Sequence, residues 1–164
     1  MSEVQYSKYL AVDDDPYQLL KRSLAEKWGD GLPLIPPTDA RVEAMLASTP
    51  RNAGDVVVNR FPPKGNAATV ELIAVNAVMA GCAPEHLPLL IAAIEAMDEP
   101  GYNAFGLAAT TAPVATMMIV NGPSRDDLGI DCRASCLGGA AGHGSATLGR
   151  ALQLCLSISL PDYV

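Results

Sequence analysis

Aromatic residues are scarce in this sequence. Its 164 residues include two Phe, one Trp and five Tyr, whereas 49% of the chain is apolar. A core of sufficient size must therefore be built mainly from Ala, Leu, Val, Ile and Met. Such small side chains let backbones approach closely, which favours helices that are buried on several sides.

Positive charge is also scarce, since 11 Lys and Arg stand against 18 Asp and Glu and the formal net charge is −7. A nucleic-acid binder needs a basic patch, and an anionic membrane surface attracts the same residue types. No apolar run reaches the roughly 20 residues of a membrane-spanning helix. Residues 1–15 lack the basic and apolar regions of a secretory signal peptide. We therefore expect a cytoplasmic protein that has neither nucleic acid nor membrane as a partner.

The hydrophobic pattern predicts an N-terminal arm over residues 1–15 and one globular domain over 16–164. Helices are predicted at 16–28, 39–48, 68–81, 83–97, 124–130 and 145–158, and strands at 55–61 and 116–122. The helices at 68–81 and 83–97 are apolar on nearly every side. The fold class is therefore helix-rich α+β or α/β with a few strands. Two such helices also predict a homo- or hetero-oligomer that buries at least ~800 Å² per subunit.

Two of the four cysteines, Cys132 and Cys136, are separated by one helical turn. On a helix both thiols would share a face, and His143 and Asp131 are near in sequence. Mixed sulfur and nitrogen ligands suit a transition metal, so Cys132, Cys136 and His143 are candidate metal ligands, although the spacing is not that of a zinc motif. A reactive thiol is the second interpretation, because Arg133 places a positive charge beside Cys132. Two inert thiols are the third.

The glycine-rich run "GGAAGHGSATLGR" leads directly into the last predicted helix. Backbone N–H groups at a helix start bind anions, so Gly142, Gly144 and Ser145 are candidate ligand-binding residues for a carboxylate or another anionic group. The run has neither the lysine of a P-loop nor the spacing of a dinucleotide motif. The alternative is a flexible loop that Ser145 caps.

Glu71 and Asn76 interrupt an apolar helix. A buried carboxylate can act as a general acid or base, and we expect Glu71 and Asn76 to face a polar site with Thr110 and Thr111 or with the glycine-rich run. The alternative for Glu71 is stabilisation of its helix N-terminus. His86 is expected to be exposed, and Cys82 and Cys155 are expected to be packing residues.

Several segments resemble the UGSC-family (seleno)proteins, a poorly characterised bacterial family. They are "WGDGLPLIPPTDARVEAML", "ATVELIAVNAVMAGCAPEHLPLLIAAIEAM", "ATTAPVATMMIVNGPSRDDLGI" and "SATLGRALQL". Longer members carry a separate region with a Sec- or Cys-Gly-Ser-Cys motif, which is not in this sequence. The resemblance therefore implies a partner subunit that supplies a thiol or selenol. "DCRASCLGGAAGHG" departs from the family pattern, so the resemblance assigns no role to Cys132, Cys136 or His143.

Two functions remain open at this point. The first is a subunit of a bacterial enzyme, of the oxidoreductase or lyase type, that applies thiol or thiol-metal chemistry to a small, anionic organic molecule. Its catalytic candidates are Cys132, Cys136, Glu71 and His143. The second is a non-catalytic structural or binding subunit that packs against the partner carrying the reactive group.

Overall fold

The computed structural model describes residues 11–12, 14–134, 137–139 and 142–157. Within them it is helix-rich α+β, with one small antiparallel sheet and no parallel strands, so the α/β alternative is not supported. Most of the predicted N-terminal arm lies outside the described residues. The elements are α1 (Pro16–Glu26), α2 (Asp39–Leu46), β1 (Val56–Phe61), β2 (Asn66–Thr69), α3 (Val70–Ala80), a 3-10 turn (Pro84–His86), α4 (Leu87–Asp98), α5 (Ala104–Ala109), α6 (Ser124–Asp127) and α7 (His143–Ser157).

Local capping signals explain where the first helices begin and end. The Asp15 carboxylate accepts a hydrogen bond from the Tyr17 N–H at 2.9 Å, and Pro16 occupies the first turn of α1. The Thr69 hydroxyl accepts one from the Leu72 N–H at 3.3 Å at the start of α3. Gly81 ends α3 at φ 87°, a left-handed conformation that favours glycine.

Helix α3 is the centre of the core and packs against α2, α4 and α7. Most of its residues are buried, including Ala74 and Ala77, whose small side chains let neighbouring helices approach. Helix α4 buries one side, with Leu90 and Ile94 fully buried, and exposes the other. The apolar surface of α3 is therefore covered within the chain, and it supplies no reason for oligomer formation.

The predicted strand at 116–122 is not formed. Residues 113–121 form neither a helix nor a strand and join no sheet in the described structure, and Met117 and Ile119 are 73% and 72% exposed. The strand that pairs with β1 is β2, for which a loop and a helix start had been predicted. Within the described residues, no helix has the length and apolar character needed to cross a bilayer.

Candidate functional site

Residues 128–134, which we name the Cys132 loop, are held against the first turn of α7 and against the 3-10 turn. The Leu128 carbonyl accepts a hydrogen bond from His86 Nε2 at 3.0 Å. The Gly129 carbonyl accepts from the Gly144 N–H at 3.1 Å. The Asp131 N–H donates to Ser145 Oγ, also at 3.1 Å. Three contacts from two elements therefore fix the path of this loop.

Asp131 shapes the turn that carries Cys132. Its carboxylate is buried and accepts hydrogen bonds from the backbone N–H groups of Arg133 at 3.0 Å and Ala134 at 3.1 Å. This pattern is an Asx-type turn, in which a side chain replaces a backbone acceptor. Asp131 therefore has a structural role that the sequence analysis did not predict. An Asp at the start of a turn is nevertheless a recognisable sequence signal for this kind of turn.

Cys132 is exposed on this turn. Residues 130–134 are not helical, so the shared helical face that motivated the thiol pair does not exist at Cys132, and Cys136 lies outside the described residues. The ion pair with Asp126 raises the pKa of Arg125. Within the described ranges, no three His, Cys, Asp or Glu side chains are arranged to hold a metal ion.

His143 begins α7 and is exposed, and its ring lies 6.0 Å from that of His86, centroid to centroid. His86 is only 2% exposed, so the prediction that it is exposed is wrong, because the 3-10 turn directs its ring inward against the Cys132 loop. Its Nδ1 accepts from the Ala83 N–H at 3.2 Å, which leaves Nε2 to donate to Leu128. The two bonds define a neutral ring protonated at Nε2.

Burial lowers the pKa of His86, and the neighbouring His143 acts in the same direction. The Leu128 carbonyl opposes this shift, because it accepts the proton on Nε2. His86 is thus a buried neutral anchor of the Cys132 loop. Sequence reasoning missed this role, because no local pattern places residue 128 against residue 86.

The glycine-rich run is partly helical. His143 and Gly144 already belong to α7, which begins two residues before the predicted start. A Cβ on Gly144 would overlap the Leu128 carbonyl oxygen and lie 3.1 Å from the carbonyl group of Gly129. Gly144 therefore permits close packing of α7 on the Cys132 loop. The Ser145 hydroxyl accepts a hydrogen bond from the Asp131 N–H of the Cys132 loop. Gly142 is buried and directly precedes α7.

Glu71 and Asn76 form no side-chain hydrogen bond with Thr110, Thr111 or the described residues of the glycine-rich run, so the predicted shared polar site is not formed among the described residues. Asn76 is 2% exposed and its Nδ2 donates to the Leu72 carbonyl of its own helix at 2.9 Å, while its Oδ1 has no partner among the described residues. Glu71 is half-buried at the α3 N-terminus, where its backbone N–H donates to Ala53. This position fits the helix-terminus alternative for Glu71.

Cys82 is half-buried and Cys155 is buried. Burial raises the pKa of the Cys82 thiol to about 12, although the Thr147 hydroxyl and Arg150 act in the opposite direction. Burial also raises the pKa of Cys155 to about 12, and Cys155 belongs to the core. Both thiols are therefore protonated at neutral pH, as expected of packing residues, and Cys132 is the exposed thiol of these three.

Thr110 lies in a different region, a surface cleft of about 340 Å³ near the C-terminal end of α7. Leu156 of α7 also lines this cleft, whereas Ser145 contacts the Cys132 loop at the other end of the helix. At 1.5 Å per residue these ends are roughly 16 Å apart. The predicted ligand-binding residues therefore divide between two regions and do not form one site.

No protein-family model, curated protein or solved structure matches this chain.

Proposed function

We propose that this chain is a subunit of a cytoplasmic enzyme that applies the Cys132 thiol to a small, anionic organic molecule. The observation that carries the proposal is the pinned Cys132 loop. The Cys132 thiol is exposed on this loop. The loop is hydrogen-bonded to His86 and to Ser145 of α7. Within the loop, the Asp131 carboxylate accepts from two backbone N–H groups. A fixed thiol favours catalysis because the reacting atom need not be positioned at each turnover.

The charges around Cys132 support an anionic substrate. Arg133 directly follows Cys132 in the chain, is 88% exposed, and among the described residues forms only a 3.4 Å ion pair with Asp131. Arg125 is paired with Asp126, which offsets its charge. The charge available to a substrate is therefore chiefly that of Arg133.

The reaction class follows from the thiol. A thiolate adds to an electrophilic carbon or sulfur, and an imidazole carries the proton that this step releases or needs. His143 is the candidate for this proton transfer, since it is exposed at the start of α7 next to Gly144, which is bonded to the Cys132 loop. This chemistry covers both oxidoreductase and lyase reactions.

Alkylation of the native protein tests the proposal. Ala92→Cys adds an exposed reference thiol on α4, and iodoacetamide labelling followed by peptide mapping then compares both thiols in one molecule. We expect Cys132 to react faster than the reference, and Cys82 and Cys155 to react only after unfolding. Equal rates at Cys132 and the reference would contradict the proposal, because Cys132 would then be merely exposed.

A second candidate function is a non-catalytic subunit that packs against the partner carrying a thiol or selenol, as the UGSC resemblance implies. The observation that favours it is the exposed apolar segment 113–121. Residues 115–121 make no backbone hydrogen bond with other described residues, and Met117 and Ile119 face solvent. Exposed apolar chain whose backbone groups are not bonded to other described residues favours pairing with another chain.

Light scattering over micromolar concentrations tests this candidate. If segment 113–121 is an interface, Ile119→Lys dissociates the oligomer or releases a co-purified partner. Leu24→Lys is the matched control, because Leu24 is an exposed apolar residue of α1. A monomer at all concentrations, without a co-purifying chain, would exclude the candidate.

A further inference from the structure

The cleft that contains Thr110 is well separated from the Cys132 loop. Met97 near the end of α4 and Leu156 of α7 lie on one side of it, and α5 with the chain that follows lies on the other. Its volume of about 340 Å³ falls within the roughly 300–1,000 Å³ of small-molecule sites. By comparison, an apolar cavity of roughly 150 Å³ is large enough to bind benzene.

None of the residues that line the cleft is an Asp, Glu, Lys, Arg or His. Its walls combine apolar side chains, with Met97, Leu107, Val114 and Leu156 among them, and uncharged polar groups in comparable proportion. An ion that entered it would lose hydration without gaining an opposite charge. The chemistry of the walls therefore selects an uncharged molecule with an apolar body.

Hydroxyl groups and the Gln153 amide are the polar side-chain groups of the lining. Tyr102 and Thr116, both in the lining, are hydrogen-bonded to each other through their side-chain oxygens. That bond uses one of the two O–H groups, so the other O–H can be donated to a ligand. Thr110 Oγ1 accepts from the Ala112 N–H at 3.1 Å, which leaves its own O–H to donate as well. These donors match a single oxygen acceptor on the ligand.

We infer that this cleft is a binding site for a small, uncharged and largely apolar organic molecule that carries one hydroxyl or carbonyl oxygen, placed against Tyr102, Thr116 and Thr110. The inference does not depend on Cys132, because the cleft lies near the opposite end of α7. The ligand inferred for the cleft is uncharged, whereas the substrate proposed for Cys132 is anionic, and the two sites lie in different parts of the chain.

Calorimetric titration with three molecules of similar shape tests the inference at pH 7. The probes are p-cresol, toluene and 4-methylbenzoate. We expect p-cresol to bind and toluene to bind more weakly by about 2- to 13-fold, the value of one hydrogen bond. We expect 4-methylbenzoate to bind at least about tenfold more weakly than p-cresol, because its carboxylate would lose hydration. Equal or tighter binding of 4-methylbenzoate, or no detectable binding of p-cresol, would overturn the inference.

Three variants locate the binding. Ala108→Phe adds a bulky group to the lining and should abolish p-cresol binding, whereas Ala96→Phe, on the exposed side of α4, should leave it unchanged. Tyr102→Phe should weaken p-cresol by about 2- to 13-fold and leave toluene within about twofold. Circular dichroism and thermal unfolding establish that each variant folds.

Other occupants of the cleft would give different results. The cleft would be assigned to a second copy of the chain by two results together. Ala108→Phe would dissociate a dimer, and p-cresol binding would weaken as the protein concentration rises. Binding of p-cresol only after deletion of residues 158–164 would assign it to that segment. Either result would overturn the inference, as would full p-cresol affinity in a folded Ala108→Phe variant.

Discussion

Two glycines of the same helix should respond in opposite ways to replacement by alanine. A Cβ on Gly144 would overlap the Leu128 carbonyl oxygen and press on the Gly129 carbonyl group, whereas a Cβ on Gly149 would meet nothing within 4 Å. Both obstacles at Gly144 are backbone atoms, which cannot turn aside as a flexible side chain can. Gly144→Ala must therefore separate α7 from the Cys132 loop or distort both.

The pair of variants isolates the cost of this contact. Replacing glycine by alanine in a helix interior stabilises the helix by about 0.5–1 kcal/mol. This gain applies to Gly149, whereas Gly144 lies in the first turn of α7, where the gain is smaller. Overpacking at Gly144 opposes it by about 1–3 kcal/mol. We therefore expect Gly149→Ala to be more stable than the parent protein, and Gly144→Ala to be less stable than Gly149→Ala by about 1–3 kcal/mol.

Urea unfolding measures this difference from the midpoints, provided that the slopes of the transitions are equal. A second measurement is the rate at which iodoacetamide labels Cys132, which should change in Gly144→Ala and stay constant in Gly149→Ala. Equal free energies of unfolding for the two variants, with equal labelling rates, would refute the close packing of α7 on the Cys132 loop.

Two further predictions concern the groups that hold α7 and its neighbours. The pKa of His86 is lowered by burial, so below the ordinary histidine pKa of about 6.5 the unfolded chain binds more protons at this residue than the folded chain does. The free energy of unfolding should therefore fall as pH drops below that value, and it should fall more steeply in the parent than in His86→Gln. Urea titrations at several pH values measure this dependence. An equal change of the free energy with pH in both proteins would contradict the prediction. Arg150, which is half-buried, forms a two-bond pair with Asp30 at 2.8 and 2.9 Å and also donates to the Pro33 carbonyl. Arg150→Gln should lower the free energy of unfolding by about 1–3 kcal/mol. The control Arg41→Gln, at an exposed residue of α2, should have little effect. Equal urea midpoints for the two variants would contradict the structural role of the pair.

The features that sequence predicted well are local. The helices at α1, α3 and α4 depend on caps and periodic apolar residues within a few positions, such as Asp15, Thr69 and Gly81, and these signals were sufficient. Pro88 lies in the first turn of α4, so the helix starts at Leu87 instead of at residue 83. The proline already indicated this shift.

The features that sequence missed depend on distant contacts. The β-branched and apolar run at 116–122 reads as a strand, but a strand forms only where the chain runs beside a partner strand, and in the described structure β1 pairs with β2 alone. The burial of His86 depends on a carbonyl 42 residues away in the chain. The different hydrogen-bond partners of Asn76 and Thr110 likewise depend on how the helices pack. The residues of the candidate site are brought together by these distant contacts. For this reason the site differs from its sequence prediction more than the fold does.

The most direct test of the proposed thiol site compares a charged with a neutral alkylating reagent. Iodoacetate and iodoacetamide are applied to Ala92→Cys, and the ratio of their rates is measured at Cys132 and at the reference thiol in low salt. A nearby unit charge favours an anion by about 1 kcal/mol in water at 4 Å, which is about fivefold in rate. The account predicts a ratio several-fold higher at Cys132, which falls to that of the reference thiol in Arg133→Gln or as salt is added. A ratio at Cys132 equal to or below that of the reference would contradict an anion-directed thiol site.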